Sequence, residues 1–305
     1  MRHFILSTIT VFIAVFILGL CPTLAENHAN GKGYLAPGVF TMNYGNLIVY
    51  SFEDRKGRLD FSIIRGVSKA EIQTIVGSNP ELSDSSLTSY VSVFVIKSPD
   101  GLYLVDTGLG ADDNLTKYLK VAGYTPKDVT DVFLTHFHQD HINGLLKDGQ
   151  PLFPNATIWA SQVENDYWLS GGSQGGQNAE EKISPYRRKG RYVTFKPGQE
   201  LKPGVQEAPL YGHTPGHVGF LFQAGNGLEF LAWGDIVHAY LLQFSRPDVT
   251  MTYDVDETLA AATRRSIFAK AAAAGYLVAG THLPYPSLGH VKGSPEKGYI
   301  WTSLK

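Results

Sequence analysis

Short, strongly apolar runs alternate along this chain with turn residues and, further on, with helical periodicity. Residues 39–42 and 47–52 have strand character, with Tyr44, Gly45 and Asn46 as the turn between them, and residues 54–57 read as a second turn. Residues 91–96 form a near-continuous apolar run. Ser98, Pro99, Asp100 and Gly101 follow as a turn whose proline and glycine preset the backbone, and 102–105 is the partner strand. Residues 70–76 read as a short helix. Residues 114–122 set Leu115, Leu119 and Ala122 on one helical face. Further strands are expected at 131–134, 156–160, 205–209, 218–223, 228–232 and 276–279, and further helices at 162–169, 180–189 and 257–274. Residues 142–146 read as the opening of a helix, and the chain beyond 282 as strand and turn. Strands therefore come first, strand–helix units follow, and the same kind of pattern returns without an exact repeat.

The N-terminal segment departs from this pattern. Arg2 is its one strongly basic residue, residues 4–20 are largely apolar, and Thr23 and Ala25 are the small residues a signal peptidase reads. The expectation is a secretory signal over 1–25, a single mature domain over 26–305, and a secreted or periplasmic bacterial protein with no stable membrane association after cleavage. An uncleaved anchor is the alternative, at the short edge of what spans a bilayer. Cys21 is the only cysteine and falls inside the signal, so the mature chain has no disulfide, no thiolate ligand and no cysteine nucleophile. The 305 residues suffice for one large domain or two small ones, and a net charge of -2 gives no case for nucleic acid. Residues 26–36 read as a polar, glycine-rich lead-in. Residues 170–176 are low in complexity, and serve equally as an active-site lid or a solvated linker.

Candidate chemistry is concentrated after the apolar run 132–134. There His136, His138, Asp140 and His141 fall within six residues. A loop leaving a buried strand can turn the first two histidines toward one point and the next two side chains toward a neighbouring point. Clustered imidazoles are costly to bury unpaired, and imidazole with carboxylate suits a borderline cation such as zinc.

This H-x-H-x-D-H stretch resembles the signature of the metallo-β-lactamase superfamily. Similar stretches continue downstream. His217 closes G-H-T-P-G-H, Asp235 and His282 each follow an apolar run, and Asp106 opens a D-T-G turn. The resemblance implies an α/β fold, an αββα four-layer sandwich with ligands on loops at one end of the sheets. It implies two divalent metal ions, most simply Zn2+. His136, His138 and His217 would hold one, Asp140, His141 and His282 the other, and Asp235 would bridge them. A hydroxide shared by two such metals is a nucleophile at neutral pH. Asp140 would also accept or relay a proton, and Asp106 would orient a ligand histidine or cap its own turn. His213 would brace the turn that carries His217.

The absence of cysteine and the presence of Asp235 argue against the β-lactamase subclasses, and the short C-terminus against glyoxalase II. The pattern is most similar to methyl parathion hydrolase and the related secreted organophosphate hydrolases, arylesterases and lactonases. By that resemblance Trp168, His238 and Tyr253 would line the substrate pocket. Shortened loops remove the other aromatics expected around a nitrophenyl leaving group. The function implied is hydrolysis of small uncharged esters or lactones, with phosphotriesters as a further class. The alternatives are a β-lactamase and a catalytically silent metal- or ligand-binding protein on the same fold. Monomer and homodimer both stay open.

Overall fold

The computed structural model describes residues 31–170 and 175–304. The expected signal segment, residues 26–30 of the lead-in and the centre of the glycine-rich loop lie outside them, and the rest of the lead-in is strand from Gly33. No helix of the described residues is long and apolar enough to cross a membrane.

Eight strands form the first sheet in chain order: β1 (Gly33–Ala36), β2 (Val39–Tyr44), β3 (Leu47–Asp60), β4 (Ser86–Ser98), β5 (Gly101–Val105), β6 (Asp131–Phe133), β7 (Thr157–Ser161) and β8 (Tyr192–Phe195). Seven more form the second, again in chain order: β9 (Glu200–Lys202), β10 (Val205–Pro209), β11 (Val218–Gln223), β12 (Glu229–Ala232), β13 (Leu277–Ala279), β14 (Leu288–Ser294) and β15 (Gly298–Ser303). Hairpins join the antiparallel pairs. The parallel pairs β5–β6, β6–β7, β7–β8 and β12–β13 need crossovers. Helix α2 (Asn114–Val121) supplies the first, residues 134–156 the second, α4 (Gln162–Leu169) and α5 (Gly176–Arg188) the third, and α7 (Glu257–Ala274) the fourth. Shorter helices are α1 (Lys69–Val76), α3 (Gln139–Ile142) and α6 (Tyr240–Gln243).

The apolar runs are nearly continuous because both faces of each central strand are covered. With side chains alternating, successive residues enter different cores. Val93, Val95, Leu104 and Val132 pack under α2, α4 and α5 with Leu119, Ile183 and Tyr186. Their neighbours Phe94, Ile96, Val105 and Phe133 meet Val218, Phe220, Phe222 and Leu277 between the sheets. Leu221, Leu231 and Val278 face outward onto Ile267, Phe268 and Ala271 of α7. The architecture is therefore α, β, β, α. A fourth cluster joins Leu59 and Leu87 at the tip of the long β3–β4 hairpin to Ile72, Leu242 and Met251.

Two expectations are corrected. Residues 54–57 are not a turn: β3 runs through them, paired with Ser89–Val91, and shifts register between Glu53 and Arg55. Their polarity reflects a strand leaving the sandwich, not a reversal of the chain. The helix expected to open at 142 instead opens at Gln139 and gives way to a 3-10 turn at Asn143–Leu145.

Phe133 is fully buried, with ring centroids 5.6 Å from Tyr103 and 5.1 Å from Phe220, so it joins the two sheets. Phe133→Ala is expected to cost about 3–5 kcal/mol in denaturant unfolding. A loss below about 1 kcal/mol would contradict this placement of the core.

Candidate metal centre

The side chains that converge all sit just beyond strand ends on one edge of the sandwich. His136 to His141 follow β6, Asp235 follows β12, His282 follows β13, and His213 lies in the loop between β10 and β11. Crevices beyond the carboxyl ends of parallel strands are where such sheets place their ligands.

His136 Nε2 lies 2.9 Å from His138 Nδ1, which lies 2.9 Å from His213 Nε2. Asp235 Oδ2 is 3.5 Å from His136 and 3.3 Å from His213, so these four residues present atoms to one point. A second group adjoins it: His141 Nε2 is 3.7 Å from Asp140 Oδ1, and His282 Nε2 is 3.5 Å from Asp140 Oδ2. Asp235 reaches this group as well, 3.2 Å from His141 and 3.1 Å from His282.

His213, and not His217, therefore stands with His136 and His138. His217 has spent both ring nitrogens. Its Nδ1–H donates to the Leu210 carbonyl at 2.9 Å, and its Nε2 accepts the Asp235 backbone N–H at 3.0 Å. It buttresses the Asp235 loop from behind. Gly234 is required at that contact, since its φ is +58° and a Cβ would stand 2.6 Å from His217 Nε2. Burial, then the neighbouring His213, pushes the His217 imidazole down to about 3, so it stays neutral. The alternation of Val218, Phe220 and Phe222 toward the intersheet core is the sequence signal that sets residue 217 on the opposite face.

The outer nitrogens of four converging histidines are occupied. His141 Nδ1 donates to Asp106 Oδ2 at 2.8 Å, His213 Nδ1 to Asp254 Oδ1 at 2.7 Å, and His282 Nδ1 to the Tyr90 carbonyl at 2.6 Å. Thr135 Oγ1 donates to Asp106 Oδ2, which leaves it free to accept from His136 Nδ1 at 3.0 Å. These bonds fix each ring so that Nε2 faces the centre and, once deprotonated, turns its lone pair there. Asp106 also accepts the Thr135 N–H at 2.8 Å, so its carboxylate is spent on the metal-loop strand and not on its own turn. His141 Nε2 and Asp235 Oδ1 are buried without hydrogen bonds. Lone pairs and carboxylates packed together with such orphans are a donor set suited to cations.

In the protein alone, protons take the cations' place. Burial disfavours charge on His213, but Asp235 and Asp254 outweigh it and raise the imidazole to about 9. His141 and His282 are raised for the same reason, against the same burial. Burial and adjacent imidazoles hold His136 and His138 well below the usual range. Burial works against ionisation of Asp235, but the surrounding histidines, His141 first, hold it well below the carboxylate range.

Glu164 of α4 carries no obvious signal in the sequence. It is buried, and its two oxygens accept from the Phe137 N–H at 3.0 Å, the Trp168 indole, the Thr214 hydroxyl at 2.7 Å and the Gly216 N–H at 3.1 Å. One carboxylate thus ties the His136–His138 loop to the His213 loop. A Cβ at Gly216 would lie 2.1 Å from the Glu164 nitrogen, so glycine permits the approach.

A cavity of about 500 Å3 opens over the centre. His138, Asp140, Asp235, His238, Tyr253 and His282 form one side, and residues of the β3–β4 hairpin the other. His238 Nε2 is 3.1 Å from Asp235 Oδ2, and its ring stacks on His282 with centroids 4.8 Å apart. Tyr253 packs edge-on against His238 and His213. Trp168 is not among the cavity-lining residues. It stands behind His138, ring centroids 5.5 Å apart, with its indole N–H turned to Glu164.

A model of the metallo-beta-lactamase superfamily matches residues 88–282, and the chain belongs to that superfamily. A probable metallo-hydrolase of Mycobacterium tuberculosis is 26% identical over 175 residues, 44% of this chain and 53% of that protein. The N-acyl homoserine lactonase of Bacillus cereus is 28% identical over 114 residues, 37% of this chain and 40% of that protein. The chain thus spans about half the length, or less, of the curated relatives it matches. Among solved structures, the hydrolase AbOPH superposes with a TM-score of 0.82 at 28% identity, covering 88% of this chain and 98% of that one. AidC, a dizinc quorum-quenching lactonase solved in complex with a product, gives 0.78 at 25% identity, covering 90% and 98%.

Two expectations follow. At saturating zinc, His213→Ala is expected to lose about one equivalent or weaken its binding by at least tenfold, as removal of a ligand does. His217→Ala should retain the stoichiometry and lose about 1–3 kcal/mol of stability through the orphaned Asp235 N–H. The reverse pattern in elemental analysis and unfolding would restore His217 to the centre. A cation bound here would displace the His213 proton below about pH 9, so zinc affinity should rise with pH through the neutral range. Calorimetry in buffers of different ionisation heat would show proton release, and none at pH 7 would contradict it.

Proposed function

We propose that this chain is a dinuclear metal hydrolase of esters or lactones. The observation that carries the reading is the set of oriented imidazoles whose inward nitrogens meet two carboxylates on the floor of a substrate-sized cavity. His136, His138 and His213 would hold one divalent cation, Asp140, His141 and His282 the other, with Asp235 facing both. Zinc suits this donor set, and the related AidC is described as a dizinc lactonase. Two such ions supply an activated water and a polarised substrate carbonyl.

The chain's own residues then divide the remaining tasks. Asp106, Asp254, Thr135 and the Tyr90 carbonyl hold the imidazoles in orientation. Asp140 is the more open carboxylate, its side chain 25% exposed, and is placed to accept a proton at its carboxylate and pass it to solvent. Burial, reinforced by Asp235 and Asp254, keeps the Tyr253 phenol protonated, so it remains a hydrogen-bond donor toward the cavity. His238 is pushed down to about 4, by burial against the pull of Asp235, and stays neutral. Tyr253 gives the pocket a donor for an ester or ring oxygen, while the His238 N–H is turned to Asp235. With Trp168 behind His138 and outside the cavity wall, Tyr90 and Tyr253 are the aromatics that the described residues offer to a nitrophenyl group, with no tryptophan or phenylalanine beside them. Lactones and esters are therefore favoured over nitrophenyl phosphotriesters, in keeping with the lactonases among the relatives. The apolar segment at 4–20 supports export to the periplasm or medium.

The mature protein loaded with excess zinc should approach two equivalents by elemental analysis. It should hydrolyse lactones or aryl esters with a higher kcat/KM than methyl parathion or any β-lactam. Asp235→Ala should lower kcat by at least about a hundredfold, because no neighbouring carboxylate faces both groups. Saturation at one equivalent would sink the dinuclear reading. Two bound metals with no turnover of any of the four substrate classes would make the chain a metal-binding protein, and preference for a β-lactam would make it a lactamase.

A further inference from the structure

The cavity wall opposite the histidines is built by the β3–β4 hairpin, and its register has been altered there. Glu53 pairs with Ser92 and Arg55 with Val91, so Asp54 is an extra residue, a β-bulge. The bulge is pinned from outside. Asp54 Oδ2 accepts the Leu109 N–H at 2.8 Å, and the Asp54 carbonyl accepts from Asn114 Nδ2 at 3.2 Å. A slip of one residue exchanges the faces of a strand. Arg55 is thereby moved from the face of Glu53 to the face of Val91, and it lines the cavity with Gly57 and Leu59.

Among the described residues, the Arg55 guanidinium makes no hydrogen bond and no ion pair. Gly57 leaves room beside it, since a Cβ there would sit 3.8 Å from Arg55 Nε. The other arginine of the wall, Arg58, is held by neutral oxygens, the Ser86 and Thr88 hydroxyls and the Ser86 and Glu81 carbonyls. Its charge is therefore also without a carboxylate in contact. The two carboxylates that line the cavity, Asp140 and Asp235, both belong to the histidine cluster. The pinned bulge sets an exposed cation with no ion-pair partner on the cavity wall across from the histidine cluster.

We propose that Arg55 selects substrates carrying a carboxylate at the end remote from the scissile ester. The substrate class is then half-esters of diacids, or lactones with a carboxylated side chain. The inference rests on the hydrolase reading above and narrows it, replacing the uncharged substrate expected from the sequence. A guanidinium offers a planar pair of N–H groups that matches a carboxylate, which an ammonium does not.

The test uses zinc-loaded protein and two matched aryl esters, of pentanoic acid and of glutaric acid as its half-ester. The kcat/KM ratio of glutarate to pentanoate ester is expected to be about tenfold or more in the wild type. It should fall toward unity in Arg55→Met and be only partly restored in Arg55→Lys. Lys56→Met removes a neighbouring charge that lies over the Tyr90 ring outside the cavity lining, and should keep the wild-type ratio within about twofold. A wild-type ratio at or below one, or a ratio unchanged in Arg55→Met, overturns the proposal. Binding of glutarate and pentanoate themselves, by calorimetry, separates this from failure of the hydrolase reading. The metal centre meets one carboxylate in either acid, so tighter glutarate binding beyond the statistical factor, lost in Arg55→Met, supports Arg55 even if no ester is turned over. Equal binding in wild type and Arg55→Met overturns it whatever the turnover.

Discussion

Asp235 is the constraint on which the rest depends. It is a fully buried carboxylate with a histidine nitrogen on nearly every side, and its backbone N–H is held by His217. Burying that charge among imidazoles is tolerable only if positive charge stays with it. In the protein alone, protons on His141, His213 and His282 supply that charge. Under the proposed function cations replace them. Exchange of protons for metal without repacking demands that the imidazoles already point inward, and the contacts behind them secure this. Each acceptor behind a ring turns a freely rotating side chain into one lone pair in a fixed direction.

The same economy appears in the loops. They are irregular chain near the end of a sandwich, and their backbone donors must still be paired. Glu164 meets two such donors, with the Thr214 hydroxyl and the Trp168 indole, on one carboxylate and joins two ligand loops in doing so. Burial pushes its carboxyl up while the Thr214, Phe137, Trp168 and Gly216 donors pull it down. The sheets beneath contribute stiffness. Thr135 accepts the Val218 N–H across the sandwich, and Ser92 donates its N–H to Thr281 one residue before His282. The ligand loops are thus anchored to the opposite sheet as well as to their own.

The strands were legible in the sequence as short apolar runs, and those at 205–209 and 218–223 fall where such runs put them. The H-x-H-x-D-H cluster was legible as too much chemistry in too few residues. What misled was any polar residue whose role depends on a distant partner. Residues 54–57 look like a turn until β4 is seen to pair with them. Glu164 looks like any surface glutamate on a helix. His213 and His217 share a motif, and only the direction of β11 tells which one reaches the centre. Trp168 is aromatic and near the site, but its indole N–H needs an acceptor, and Glu164 draws it behind His138.

The order of the strands has a consequence of its own. Residues before about 196 build one sheet and those after it the other, each in sequence, so each half of the chain is a nearly self-contained sheet with its helices. Each proposed metal draws on both halves: His136 and His138 meet His213, and Asp140 and His141 meet His282. The ions would then act as rivets between two leaves, present only when the leaves are closed. In a chelating environment the seam is held by the apolar interlayer and the hydrogen bonds that cross it. Metal supply would set not only whether the molecule reacts but how tightly its two halves stay shut.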